Sequence, residues 1–356
     1  MGLKDETPSG TTEVSSTQLE PVKSCPVCDS GERRLLAQNM RDINYGGVGG
    51  RWRLFRCCQC RSAYMDSRID SEHIADAFVN YETHAVSEKR PKRRGILGFL
   101  QSTLDAYTHN LYGSPAENKS NFRASLAYLF PLLRLERDFL MRHARKRDGI
   151  GKILDIGCGN GDFLARMRDA GWSVHGLDFD PSAAKIADSR GLNVVSGSVT
   201  ARISSLPQSD LVAASHVIEH VHELQNFLEL LYEKVLPGGV LWLATPNINS
   251  PLRWLEGRYW DKWETPRHLQ MFNMASMRLL IERALGKQVN VSFKRRGWHI
   301  YWSMAQSALL RQGQLRGTRP RLPPSRVPLA ILLETAALMS PGWGDELIVE
   351  IRKPAV

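Results

Sequence analysis

The sequence predicts an α/β fold: a mostly parallel sheet covered by helices on both faces, preceded by a small cysteine-bearing module and a helical linker region. Three observations predict it. From residue 152 onward short apolar runs alternate with amphipathic ones, the pattern of βαβ units in a parallel sheet. The stretch LDIGCGNGDFL, 154–164, is an apolar run halted by three glycines and followed by a helix-like spacing of Phe163, Leu164 and Met167. Five of the six cysteines lie between 25 and 60, as two tight pairs plus one.

Residues 1–23, MGLKDETPSGTTEVSSTQLEPVK, are polar and mixed in charge and lack the apolar core of a secretory signal, so a disordered tail is expected. Residues 24–70 form the cysteine module, and 71–149 read as a helical linker or cap region broken by the basic run KRPKRR at 89–94. The domain from 150 to 356 then runs KILDIG, FLARMRDAG; SVHGLD, PSAAKIADSRG; LNVVSG; DLVAASH, LQNFLELLYEKVL; GGVLWLAT. After Thr245 the rhythm changes. A segment rich in Trp, Tyr and Arg, 246–272, reads as a lid or specificity loop, a helix follows at about 274–285, and 297–344 reads as an insertion before a last strand in ELIVEIRK.

The run VPLAILLETAALM at 327–339 is too short to span a bilayer and carries Glu334, so a soluble cytoplasmic protein is expected. At 356 residues with 42% hydrophobic content the chain can bury a large core. The formal charge of +10 points weakly to an anionic partner. Clustered cysteines suit metal binding in a reducing compartment better than disulfides.

Glycines are needed at 157, 159 and 161 because a side chain would block the turn or hold a ligand away from the free N–H groups of the next helix. A nicotinamide-binding turn wants its third glycine at position 162, where this chain has Asp162. Together LDIGCGNG, HGLDFDP, DLVAASHVIEHV and LPGGVLWLATPN resemble the successive sheet-edge motifs of class I S-adenosylmethionine-dependent methyltransferases, in order and spacing over about 150–296. The resemblance implies a Rossmann-like sheet whose last strand is antiparallel. It also implies S-adenosylmethionine as cofactor, held by Asp155, Gly157, Gly159 and Gly161, by Asp178 with Phe179, by Ser198, and by Ser215 and His216 in the loop 215–220 that borders donor and acceptor.

Physical readings stand beside these. A carboxylate at Asp178 can accept two hydrogen bonds from a ribose diol; otherwise it caps the helix near Pro181, a role Asp180 fills at least as well. Cys158 reads as a small space-filling residue. Cys25-x2-Cys28 and Cys57-x2-Cys60, separated by 28 residues, can set four thiolates around a structural Zn2+, with Cys58 spare or paired with Cys60 instead. A similar knuckle pair, here ending CCQCRSAYM, precedes the methyltransferase domain in bacterial enzymes resembling this one that act on sugars, polysaccharides and related small molecules. This chain has Arg61 where they commonly carry glycine. The run at 89–94 is either a solvated charge run or a contact for an anionic or membrane surface.

Methyl transfer from a sulfonium needs in-line positioning, and a hydroxyl acceptor gains from a histidine base. Two places offer one: HVIEHVHE, with His216 and His220, and ETPRHLQMF, with His268. The expectation leans to His268, with Arg267 binding a substrate anion and Tyr259 and Trp260, beside Trp254 and Trp263, walling a sugar ring; each could instead be structural. The reading is O-methylation of a saccharide, glycolipid or related small molecule. Its rivals are an RNA methyltransferase gripping phosphate through the ribbon and basic patches, C- or N-methylation, and a non-catalytic binding module.

Overall fold

The computed structural model describes residues 15–78, 94–115, 120–145, 149–316 and 320–355. Residues 1–14 of the expected tail, and the basic run except Arg94, lie outside them. The strands are β1 Leu19–Pro21, β2 Arg33–Met40, β3 Trp52–Cys57, β4 Ala63–Met65, β5 Ser67–Ile69, β6 Lys152–Ile156, β7 Ser173–Asp178, β8 Asn193–Ser196, β9 Ser209–Ser215, β10 Val235–Pro246, β11 Gln270–Met271, β12 Asn290–Lys294 and β13 Glu346–Arg352. The helices are α1 Gly95–Tyr112, α2 Asn121–Leu126, α3 Pro131–Leu140, α4 Asp162–Asp169, α5 Pro181–Ser189, α6 Val199–Arg202, α7 Leu224–Glu233, α8 Pro251–Glu256, α9 Met274–Leu285, α10 His299–Arg311 and α11 Val327–Ala337.

Seven strands form the main sheet in the order β12-β13-β10-β9-β6-β7-β8. The pairs β6–β7, β7–β8, β6–β9 and β9–β10 are parallel, whereas β13 runs antiparallel to both β10 and β12. The expected fold class is therefore the observed one. Local chemistry starts the helices where the sequence can satisfy their first N–H groups. Asp180 accepts from Ser182 N at the head of α5, with Pro181 at the first helical position, and Asn273 and Ser276 cap each other's backbone at the head of α9. One core includes Leu228, Leu231 and Leu280 on the α7–α9 face; the other includes Phe163, Leu164 and Met167 on the α4 face.

Two boundaries differ from expectation. The tail does not reach residue 23, because Leu19–Pro21 pairs antiparallel with Ser67–Ile69 and Glu20 meets Arg68 at 2.6 Å. Three residues are too few for a periodic signal. The segment expected as a lid is interior: Trp260, Leu269, Met271 and Phe272 are buried, and β11 adds a fourth strand to the module's sheet, in the order β11-β4-β3-β2. Ile300, Met304 and Ala305 of α10 share one apolar cluster with Trp52, Leu54, Trp260 and Trp263, so the 297–344 region fastens the module and the 246–272 segment together. Among the described residues no helix is long and apolar enough to cross a membrane.

Candidate functional site

The glycine turn sits at the C-terminal edge of β6, between β7 and the loop after β9. All three glycines have positive φ, and a Cβ at Gly157 would lie 2.5 Å from Val217 Cγ2, one at Gly161 2.4 Å from Leu192 Cδ1. The turn thus lies directly against the 215–221 loop and α5. Gly159 N donates to Asp178 Oδ2 at 2.7 Å and Asp180 N to Asp178 Oδ1 at 2.9 Å. Asp178 ends β7 and ties the two sheet-edge turns into one unit, while the capping role falls to Asp180. Phe179 follows, 44% exposed.

Asp155, fully buried under the turn, is ion-paired to Arg142, whose guanidinium lies 3.9 Å from the centre of the Phe163 ring. Its Oδ2 has no hydrogen-bond partner. Burial raises its carboxyl even against Arg142. Ser198 caps α6 by accepting from Ala201 N, and Ser215 closes β9. The Cys158 thiol is pushed up by burial, as suits a space-filling residue.

After β9 the chain turns through His216 with φ +55° into a short 3-10 turn, Ile218–His220. The 264–271 strap grips that turn: Leu269 N donates to Glu219 O at 2.9 Å, and Gln270 Nε2 to Ile218 O at 3.0 Å and Val221 O at 2.7 Å. His220 Nδ1 donates to Arg267 O at 2.9 Å, and His268 Nδ1 to Lys262 O at 2.7 Å. Both imidazoles are therefore held in the tautomer that leaves Nε2 as the lone pair. Their rings are 4.9 Å apart, and His268 Nε2 lies 4.0 Å from Glu219 and 3.6 Å from Glu264.

Beneath them runs a buried charge network. His216 sits 3.2 Å from Glu219 and 3.4 Å from Glu346; burial opposes its charge, but Glu346 and then Glu219 outweigh that and raise it to about 9. Glu346 stays well below its usual range against burial because Arg296, His216 and Lys262 face it. Burial lowers His268 to about 4, only partly countered by Glu264.

Several expected roles are corrected by these positions. His268 is 2% exposed and neutral, turned inward from the strap rather than over an acceptor. Arg267 is fully buried, with Nη2 2.9 Å from Asp42 Oδ2 and Nε donating to Ala77 O at 2.6 Å, so it is not aimed at a substrate anion. Trp260 is also fully buried and donates to Asp345 Oδ1 at 3.0 Å, Trp263 is 5% exposed, and Tyr259 packs against Arg311; they form no open wall for a sugar. The segment's aromatics were needed to bury the module against the sheet.

Sequence reasoning missed Glu219, which stands inside HVIEHV, and Phe78, whose ring contacts both Phe179 at 5.1 Å and His220 at 5.2 Å. No local pattern announces Phe78. Donor atoms of Glu219, His220 and His268 lie within 4.8 Å of one another, a carboxylate and two imidazoles that could hold a divalent metal.

In the module, Cys25, Cys28, Cys57 and Cys60 have sulfurs within 4.8 Å of one another, with Cys25–Cys60 and Cys28–Cys57 each at 3.5 Å. Disulfides are excluded by those distances, whereas tetrahedral Zn–S bonds of about 2.3 Å put sulfurs roughly 3.8 Å apart. Cys58 is exposed and outside the cluster.

Residues 125–284 match the family profile of a methyltransferase domain. A mitochondrial ubiquinone biosynthesis O-methyltransferase of Schizosaccharomyces pombe is 38% identical over 120 residues, 30% of this chain and 43% of that protein. A ubiquinone biosynthesis O-methyltransferase of Azorhizobium caulinodans is 32% identical over 161 residues, 38% of this chain and 63% of that protein. The chain thus spans less than two thirds of these relatives. A solved S-adenosylmethionine-dependent methyltransferase from Archaeoglobus fulgidus aligns with a TM-score of 0.41 and 17% identity, over 66% of this chain and 100% of that one.

Proposed function

We propose that the methyltransferase domain of this chain transfers a methyl group from S-adenosylmethionine to a hydroxyl of a small-molecule acceptor, with a structural Zn2+ in the cysteine module. The observation that carries the reading is the junction of the glycine turn, Asp178 and the 215–221 loop, which brings a donor-binding edge and a histidine pair to one end of the sheet. The residues fit the donor. The Asp178 carboxylate, with two lone pairs on each oxygen, can accept from a ribose diol, Phe179 offers an exposed ring to adenine, and the unpartnered Asp155 Oδ2 can accept from an ammonium group. S-adenosylmethionine supplies an activated methyl on a sulfonium.

His220 is the better base. Its Nδ1 is committed to the Arg267 carbonyl, and its less buried Nε2 can take the acceptor's proton. The resulting imidazolium would lie beside the ionised Glu219 carboxylate, which burial opposes but His216 holds below its usual range. His268 positions the strap. Relatives named as O-methyltransferases support oxygen as the acceptor atom. Saccharides and glycolipids are the acceptor class tested first, and quinone precursors the second.

The test is incubation with isotopically labelled S-adenosylmethionine and acceptor panels, read by mass spectrometry. His220→Asn is expected to lower turnover about a hundred- to ten-thousandfold at saturating acceptor, with donor affinity unchanged. Labelled carbon or nitrogen, or near-normal turnover in His220→Asn, would overturn the assignment.

A further inference from the structure

A cavity of about 530 Å³ opens where the cysteine module meets the C-terminal edge of β10 and the head of α9. Its floor carries two guanidinium groups, Arg56 from β3 and Arg253 from α8, which are 8% and 7% exposed. Among the described residues no carboxylate forms an ion pair with either. The charges that act on them are all positive: Arg34 and Arg61 on Arg56, and Arg56 and Arg34 on Arg253. Arg61 holds its place at φ +63°, a left-handed conformation that costs a branched or long side chain energy.

Guanidinium groups do not shed their protons in proteins. Two of them nearly removed from water without a counter-charge are destabilising in the ligand-free protein, unless an anion supplies what the chain does not. Their fixed hydrogen bonds leave N–H groups to spare. Arg56 Nη2 donates to Asn249 Oδ1 at 2.6 Å and its Nε to Arg61 O at 3.3 Å, and Arg253 uses Nε on Ile248 O at 2.8 Å. Indole rings flank the pair: Trp254, 71% exposed, lies 3.8 Å from the Arg253 guanidinium, and Trp343, 52% exposed, lines the same cavity. The network around Glu346 uses none of these residues.

We propose that this cavity is a binding site for a small phosphorylated molecule, its phosphate bridged between Arg56 and Arg253 and its organic part set against the exposed indoles. A phosphate matches two unpaired guanidiniums in charge and in bidentate geometry, where a single carboxylate would leave one positive charge uncompensated. Asn249, on the cavity wall, adds an amide donor, its Oδ1 being taken by Arg56. The site stands whether or not the chain transfers methyl groups, since the glycine turn lies two strand steps away across the sheet, roughly 10 Å.

The test uses the full-length protein with its metal and inorganic pyrophosphate as probe, against chloride at equal ionic strength. Wild type is expected to gain about 5 °C in Tm at a hundredfold excess over Kd. Arg253→Met keeps the aliphatic stem and removes the charge. It is expected to melt no lower than wild type without probe and to ignore pyrophosphate, and Arg56→Gln to lose most of the response. Calorimetric S-adenosylmethionine affinity should be unchanged in both, which separates this site from the donor site. A wild type indifferent to pyrophosphate, variants that respond as wild type does, or binding of a single-stranded oligonucleotide in place of pyrophosphate would overturn the proposal.

Discussion

Arg267 decides whether the 264–271 strap is a substrate-facing lid or the joint between two layers of the protein. Its guanidinium and the Asp42 carboxylate are both fully buried, 2.9 Å apart, one from the strap and one from the module. Asp42 also accepts from Tyr45 N at 3.1 Å, Gly47 N at 3.0 Å and Val48 N at 3.2 Å, and the Tyr45 ring lies 4.7 Å from the guanidinium. Breaking a buried pair by removing one partner typically costs about 3–5 kcal/mol, mostly through the charge left behind. Here the three backbone donors partly compensate the abandoned carboxylate, which places Arg267→Met near the lower end, at about 3 kcal/mol. Asp42→Asn leaves a buried cation with only the Ala77 carbonyl and the Tyr45 ring to answer it and should cost more.

The assay is urea denaturation followed by tryptophan fluorescence, on wild type, both single variants and the double variant. Arg267→Met is expected to lower the urea midpoint at unchanged slope, and the double variant to be more stable than the sum of the singles implies, because the pair is in contact. Turnover by whatever Arg267→Met protein remains folded should keep its KM for acceptor. An unchanged midpoint with a KM raised tenfold or more would refute the structural role and restore Arg267 as a substrate ligand.

The purified chain is expected to hold about one zinc, and elemental analysis of Cys25→Ser, Cys60→Ser protein should find it lost; retention would show that another group binds the metal. Asp178→Ala should weaken S-adenosylmethionine binding by about 1.5–3 kcal/mol, roughly ten- to a hundredfold by calorimetry, and also lower Tm because Gly159 N loses its acceptor. Stability should pass through a maximum near neutral pH. His216, raised to about 9, contributes stability that is complete below about 6.5 and lost as pH rises through 9, whereas His268, lowered to about 4, contributes above about 6.5 and is lost as pH falls toward 4. Thermal melts from pH 4 to 10 should therefore lose most of their alkaline slope in His216→Gln and part of their acid slope in His268→Gln; unaltered slopes would refute the network.

The sheet was legible because each of its parts is local: an apolar strand, a turn that only glycine fits, a capped helix. KILDI, the glycines and SVHGLD announce themselves within a dozen residues. The four-cysteine cluster was legible for the same reason, since two knuckles fix four ligands by spacing alone. What could not be read is what depends on long-range burial. PRHLQ looks like surface chemistry until β11 is seen pairing with β4, which turns Arg267, His268 and Gln270 inward. Composition gave the Trp-rich stretch two meanings, wall or core, and only the partner surface supplied by α10 and the module chooses between them. Phe78 reaches the site from a short turn 101 residues before Phe179, a distance across which no periodicity operates.

The strap also explains why a cysteine module should matter to chemistry it does not touch. Cys60 O accepts at 3.2 Å from Nδ2 of Asn273, the cap of α9 just past the strap, and Met65 N donates to Leu269 O at 3.2 Å within it. Leu269 and Gln270 in turn hold the Ile218–His220 turn, and Arg267 O fixes the His220 ring. A closed four-thiolate site leaves a metal no position for substrate, but it makes the sheet β11-β4-β3-β2 rigid on the side that carries these bonds. Loss of a metal held by the four cysteines would then be felt at His220 through these hydrogen bonds, as misplacement of the proposed base rather than loss of the donor-binding edge. The turn, Asp178 and α5 hang from β6 and β7, so donor binding should outlast turnover if metal is withdrawn from the module.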